Sequence, residues 1–375
     1  MGVTKGFTFI DNSYANRNTS IKEIYLNTLG GLRVAVDFTG MLHRFMREKT
    51  YNENHYILEL INIIEKFKKC NIIPIFVIDG RPVPEKQTSS KKNKDKSLEL
   101  LDTIITSLTI ETNQNTEDTL DTLETLEKIN KLKKKSISIT KEHIDKCKHI
   151  FDNLNCLYIH NNKCEADSIL ALLVKLNITE YVYSEDFDMC LYSNVKYILK
   201  GLNFMKDTIK LYNRKDILEN LDITSNQLID IAFLTGTDYN HGLYKSTMDS
   251  NLELIKKYET IEGMISNIEL INTDRKEKCK ILIPTYNFDY TLVRNIFTLK
   301  NIDETVTSTI LKYINHYNGI NYQNKQALMN IFNIKKILNY IKTISEDQIA
   351  STKYSKKFSN YCYLQFGINI SIECV

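Results

Sequence analysis

Tryptophan is absent from this chain, while lysine, asparagine, isoleucine and tyrosine are abundant, a bias that resembles an AT-rich genome and carries no mechanism. No Cys-x-x-Cys and no paired Cys/His spacing occurs among the 8 cysteines, so zinc frameworks have no support. The cysteines, at positions 70, 147, 156, 164, 190, 279, 362 and 374, read as reduced thiols of an intracellular protein. No run reaches the ~18 apolar residues of a membrane span. The start, Met1-Gly2-Val3-Thr4-Lys5-Gly6, lacks a secretory hydrophobic region and is a poor myristoylation match. No membrane partner is therefore expected. A charge excess is missing as well: 49 basic against 46 acidic residues leave a formal net charge of +3. Any nucleic-acid surface has to come from local clustering. There are no internal repeats.

What is present fits an ordinary globular protein, with 42% hydrophobic and 25% charged residues over 375 positions, enough for two or three domains. The stretch from Lys163 to Cys190 organises it. Glu165 and Asp167 open an apolar helical run in which Ile169, Leu172, Leu173 and Leu176 fall at i, i+3, i+4 and i+7. A short β-type run, Tyr181 to Ser184, follows and leads to Asp186 and Asp188. Extended geometry would turn that pair to one side, at the sheet edge where open α/β folds bind ligands. For either pair taken alone, helix capping with solvated charge is the better reading.

Other strand candidates also end in acids. Leu32 to Val36 ends in Asp37, and Ile72 to Ile78, after a helix over roughly Tyr56 to Cys70, ends in Asp79. This is a βαβ pattern. Residues 81–139 interrupt it. Lys86, Lys91, Lys92, Lys94 and Lys96 cluster there, and Leu120, Leu123, Leu126 and Ile129 recur every three residues before a second lysine cluster at 131–135. These charges read either as solvated surface or as an insertion that tracks phosphates. Thr140 is placed to cap a helix through Leu154, Cys156 to Ile159 and Val195 to Leu199 read as strands, and Ile209 to Tyr212 as one more. A helix around Ser225 to Leu234 leads to Asp238, and the rest of the chain is helical and polar.

Asp37, Asp79, Glu165, Asp167, Asp186, Asp188 and Asp238 thus form a set of seven carboxylates at element ends. Gathered in one cleft they would repel one another and resist desolvation. Two divalent ions, Mg²⁺ or Mn²⁺, resolve this, and such a pair can clamp the attacking and leaving oxygens of a phosphodiester. The set therefore points to a metal-dependent phosphodiesterase.

Five ordered motifs strengthen that reading. Val34-Ala35-Val36-Asp37 with Phe76-Val77-Ile78-Asp79-Gly80, the segment Ile139 to His149, Cys164-Glu165-Ala166-Asp167, Ser184-Glu185-Asp186-Phe187-Asp188 and Gly236-Thr237-Asp238-Tyr239 resemble the flap endonuclease family, over residues 1 to about 260. The resemblance implies a structure-specific 5′ nuclease with a PIN-like α/β core: a mostly parallel twisted sheet flanked by helices, with a helical arch insertion and a helical C-terminal region. It implies a nuclease core over residues 1–241 including the arch at 81–139, a duplex-binding region at 242–330 and a terminal helix and tail at 331–375. It implies that Asp37, Asp79, Glu165 and Asp167 serve one metal ion, and that Asp186, Asp188 and Asp238 serve the other. Lys86 falls where the family places an arch lysine on the scissile phosphate, with Lys91, Lys92 and Lys94 nearby. Gly2, Arg44, Arg47 and Lys245 would contact DNA, and His43 stands where the family stacks a tyrosine on a base.

Two departures matter. Asp167 replaces a glutamate, and the family's Gly-x-Gly hairpin is reduced to Gly242-Leu243-Tyr244-Lys245. Side chains of Leu243, Tyr244 and Lys245 are expected to block the backbone approach that such a hairpin uses. The expected partner is branched DNA with a 5′ single strand and a duplex, and no clamp-binding peptide is recognisable in the final residues. The composition would suit a viral member, in a nucleus or a cytoplasmic replication site. The rival readings are a ribonuclease of the same fold and a non-catalytic factor that binds branched DNA.

Overall fold

The computed structural model describes residues 3, 6–15, 21–48, 55–80, 103, 138–161, 164–244, 246–273, 275–276, 280–284, 288–300 and 302–315. The chain divides into two compact units. The first comprises Met1–Gly40, Cys70–Lys86 and Leu157–Tyr317, and the second Met41–Lys69, Gln87–Cys156 and Asn318–Val375.

The first unit is built on a seven-stranded sheet. Its strands are β1 (Lys22–Tyr25), β2 (Arg33–Asp37), β3 (Ile73–Ile78), β4 (Leu157–His160), β5 (Tyr181–Tyr183), β6 (Tyr197–Asn203) and β7 (Thr208–Asn213), in the order β1-β7-β6-β5-β2-β3-β4. The pairs β6–β5, β5–β2, β2–β3 and β3–β4 are parallel, and β7 and β1 close one side antiparallel. Strands buried on both faces read as unbroken apolar runs, which is why Val34 to Val36 and Ile75 to Ile78 were legible. The chain goes outward from β2 through β3 to β4, then returns to lay β5 on the other side of β2. That reversal makes β2/β5 a topological switch point, where clefts form beyond the carboxyl ends of the strands.

The helices of this unit are α1 (Gly6–Ala15), α5 (Ala166–Lys175), α6 (Arg214–Leu221), α7 (Ser225–Thr235), α8 (Met248–Tyr258), α9 (Ile261–Ser266), α10 (Ile268–Thr273), α11 (Tyr290–Phe297) and α12 (Glu304–Asn315). Residues 166 and 169–174 of α5 are all buried, so it is a core helix with more than the single stripe its spacing suggested. α7 starts with a reciprocal cap: Thr224 Oγ1 accepts the Gln227 N–H, and Gln227 Oε1 accepts that of Thr224. Helix α2 (Phe38–Glu48) begins in the first unit and continues into the second.

In the second unit α3 (His55–Lys69) packs on α4 (Lys141–Leu154), with the Tyr56 ring edge-on to His143 at 5.3 Å. Thr140 caps α4 as expected, through a box in which His143 Nδ1 accepts the Thr140 N–H at 3.0 Å. Apart from Thr103, Ser138 and Ile139, the expected arch at 81–139 lies outside the described residues, as does 331–375. Among the described residues no helix is long and apolar enough to cross a membrane, and Cys70, Cys147, Cys156, Cys164 and Cys190 form no disulfide.

Candidate active site

Asp37 is the last residue of β2 and is buried. Its carboxylate is held at both oxygens: the Gly40 N–H donates to Oδ1 at 2.9 Å and the Ser184 hydroxyl to Oδ2 at 3.0 Å. A Cβ at Gly40 would collide with Asp37 Oδ2, so a larger residue there would have to displace that carboxylate. Burial pushes the Asp37 carboxyl up to about 7, and the negative charge of Asp79, then of Asp186, adds to the rise; the two hydrogen bonds oppose it. Carboxylates from the ends of β2, β3 and β5 are therefore within electrostatic reach of one another.

Asp79 follows β3. Its own N–H donates to Thr39 Oγ1, and its Oδ1 accepts the N–H of Ala166, the first residue of α5, both at 2.9 Å. A strand-end acid thus caps the helix that carries the next acidic pair. Glu165, at the N-cap position of α5, makes no side-chain cap bond. Its Oε2 instead accepts the Tyr239 hydroxyl at 2.7 Å, in a buried contact. Burial raises the Tyr239 phenol far above its ordinary range, with Tyr192, Glu165 and Asp167 adding to it. Tyr192 is raised too, by burial first and then by Asp167, with Asp188 and Glu165 contributing less. Both phenols stay protonated in this negative surrounding, and Tyr239 donates to Glu165. The Tyr239 contact also brings the Gly236–Asn240 turn to the cleft, and Asp238 sits half-buried within it.

The Asp186/Asp188 pair departs from expectation. Strand β5 ends at Tyr183, and Asp186, still extended in its backbone, is the N-cap of a 3-10 turn, Phe187–Cys190. Strand alternation therefore does not orient the two acids. Asp188 is buried inside the turn, and its Oδ1 accepts the Val3 N–H at 2.9 Å. Asp186, half-buried, points its backbone N–H at Ser184 Oγ, so one serine serves both Asp37 and Asp186.

All seven acids belong to one unit; Asp37 feels the charge of Asp79 and Asp186, and Tyr192 that of Asp167, Asp188 and Glu165. Among the described residues no three of them form a preformed metal cage. His43 and Arg44 are half-buried and Arg47 exposed on the part of α2 in the second unit. Gly2, Lys86, Lys91, Lys92, Lys94, Lys96 and Lys245 lie outside the described residues. Leu243 corrects the reading of the turn after α7: it is buried, with its N–H bonded to Leu234 O at 2.7 Å, so only Tyr244 of the described pair projects outward.

Sequence reading missed Thr39, Gly40, Ser184 and Tyr239 as supports of the site. Their signal was proximity: each is within two residues of an acid of the set, except Gly40, which follows Asp37 by three.

An α/β core with acids gathered across its switch point is the architecture of a carboxylate-based hydrolase. Residues 1–100 match the XPG N-terminal domain and residues 157–238 the XPG I-region. Flap endonuclease 1 of Entamoeba histolytica is 26% identical over 401 residues, spanning 95% of this chain and 97% of the relative. Flap endonuclease 1 of Enterocytozoon bieneusi is 26% identical over 246 residues, spanning 64% of this chain and 62% of the relative, less than two thirds of that protein's length. The fold is similar to the catalytic core of Rad2 in complex with DNA substrate, at a TM-score of 0.59 and 18% identity over 88% of this chain and 100% of that one. It is also similar to human GEN1 in complex with Holliday junction DNA, at 0.54 and 14% over 94% and 81%. The chain belongs to the flap endonuclease family.

Proposed function

We propose that this chain is a divalent-metal-dependent, structure-specific 5′ nuclease that hydrolyses phosphodiester bonds in branched DNA bearing a 5′ single strand and a duplex. The observation that carries the reading is Asp37, a buried strand-end acid pushed up to about 7 by burial and by its acidic neighbours. That crowding is what a cation relieves. Mg²⁺ keeps several waters and binds through one or two carboxylates plus substrate phosphate, so a preformed three-acid cage is not needed.

In this reading Asp37, Asp79, Glu165 and Asp167 would serve one Mg²⁺ or Mn²⁺, directly or through its bound waters, and Asp186, Asp188 and Asp238 the other. Such ions, when bound, supply a hydroxide-like nucleophile and neutralise charge on the phosphate. The chain's own contribution is orientation. Ser184 and Gly40 fix Asp37, Tyr239 fixes Glu165, and the Val3 N–H fixes one oxygen of Asp188. Lys86 is assigned to the scissile phosphate, with Lys91, Lys92 and Lys94 on the passing strand. Gly2, His43, Arg44 and Arg47 are assigned to DNA near the cut. Tyr244, exposed at the turn between α7 and α8, and Lys245 are assigned to duplex backbone. The Rad2 core bound to a DNA substrate and GEN1 bound to Holliday junction DNA support branched DNA as the substrate class.

The test is incubation of the purified chain with labelled 5′-flap, Holliday-type, nicked and single-stranded DNAs in Mg²⁺ or EDTA. Mg²⁺-dependent cleavage near the branch is expected. Equal cleavage of RNA flaps would favour a ribonuclease, and binding without cleavage a non-catalytic factor.

A further inference from the structure

Resting on the nuclease reading above, we propose that Phe297 is a positioning residue for the acidic pair on α5, acting through Tyr239 and Tyr192. Both phenols attach to the first turn of that helix. Tyr239 donates to Glu165 Oε2 at 2.7 Å, and the Tyr192 hydroxyl lies 3.4 Å from Ser168 Oγ, the residue after Asp167. A phenol's oxygen is at the far end of its ring, so its aim depends on what packs against the ring. Phe297 packs against both: its ring is edge-on to Tyr192 at 5.1 Å and 77°, and to Tyr239 at 6.0 Å and 76°. All three side chains are buried.

Two further observations make this a support for the acids and more than core filling. Glu165 makes no cap bond to its own helix, and Asp79 holds the first N–H of that helix. Tyr239 thus holds the Glu165 carboxylate from outside α5. And α11, which carries Phe297, is itself anchored: Arg294, one turn earlier, bonds Asp230 on α7 and Glu262 on α9. A chain of contacts thus runs from the helical region through one phenylalanine to the N-terminal turn of α5.

The test uses the full chain without DNA. Mn²⁺ binding is measured by the loss of its free-ion electron paramagnetic resonance signal, with circular dichroism to follow folding. The Mg²⁺ dependence of single-turnover cleavage is measured alongside. Tyr239→Phe and Phe297→Ala should each weaken Mn²⁺ binding about tenfold, the scale seen for outer partners of metal ligands. Each should raise the Mg²⁺ needed for half-maximal rate to a similar extent, with the rate recovering at high Mg²⁺. The double variant should be no worse than Phe297→Ala alone, since both act on one carboxylate. Phe297→Leu, which retains volume, should lie between Phe297→Ala and wild type. Wild-type Mn²⁺ affinity in folded Tyr239→Phe and Phe297→Leu overturns the inference, as do fully additive losses in the double variant. If Phe297→Ala fails to fold, the other two variants decide. A wild-type chain that bound no Mn²⁺ would instead remove the nuclease reading, and this inference with it.

Discussion

The N–H of Ala166 donates to Oδ1 of Asp79 at 2.9 Å, so an acid at the end of one strand caps the helix that presents the next two acids. Asparagine can accept the same bond and alanine cannot. Asp79→Ala should therefore cost about 1 kcal/mol of stability, the usual scale for a lost cap, while Asp79→Asn should cost little. Both should lose cleavage. Urea denaturation beside a flap-cleavage assay separates the two roles.

Asp186→Asn and Asp238→Asn should lower the cleavage rate by about a hundredfold or more while leaving flap binding largely unchanged. In the proposed mechanism bound ions would supply the chemistry, whereas nucleic-acid affinity comes mainly from basic groups on phosphates. Single-turnover rates and gel-shift affinities of the two variants check this, and near wild-type turnover in either would remove that residue from the metal set.

Asp37 makes stability depend on pH. Its carboxyl is raised from 3.8 to about 7, so the folded chain holds a proton that the unfolded chain has released. The stabilisation is full below the unfolded value and is lost as pH rises through about 7. Metal-free protein should therefore melt lower at pH 8 than at pH 5.5, as far as Asp37 governs the change. Asp37→Asn should flatten that slope, and Mg²⁺ should raise the wild-type melting temperature more at pH 8. Melting curves in EDTA and in Mg²⁺ at the two pH values measure it.

Arg294 holds a buried charge. Its guanidinium bonds both oxygens of Asp230, whose side chain is 2% exposed, and reaches Glu262 as well. Arg294→Ala leaves Asp230 buried and unpaired, which should cost about 3–5 kcal/mol. Arg294→Met with Asp230→Leu should recover much of the loss. Chemical denaturation of the single and double variants tests this.

Gly242 is constrained by geometry. It has φ +66°, and a Cβ there would meet Gly236 N and Thr235 C at 2.5 Å. Gly242→Ala should displace the turn between α7 and α8 and weaken duplex binding severalfold, with no loss of cleavage on short single strands. Lys245→Ala should lower affinity evenly across flaps that share one duplex, because phosphate contacts position without specifying. Titration of matched substrates distinguishes the two.

The sequence exposed the parts of the fold whose physics is local. Buried parallel strands appeared as apolar runs, Thr140 appeared as a cap, and acids after strands appeared as candidates because the carboxyl edge of a sheet collects ligands. Helix α1 was not legible: Gly6, Thr8, Asn12 and Ser13 are poor helix formers, and the helix rests on burial of Phe7, Phe9 and Ile10. Strand β1 was hidden because it is a mostly exposed edge strand held by pairing with β7. The strand end before Asp186 was legible to within one residue, but the 3-10 turn over Phe187–Cys190, which re-aims Asp188, was not. Within the site the acids were legible and their supports were not. Ser184 bonds a residue 147 positions away, and Tyr239 one 74 positions away, relations that only the fold creates.

The central claim is tested most directly by single-turnover cleavage of a 5′-labelled flap duplex in Mg²⁺ and in EDTA, with products mapped to the nucleotide. The account predicts one dominant cut close to the junction of the 5′ strand and the duplex, complete loss in EDTA and recovery on added Mg²⁺. Cleavage that persists in EDTA, or intact substrate at saturating enzyme and Mg²⁺, would contradict it.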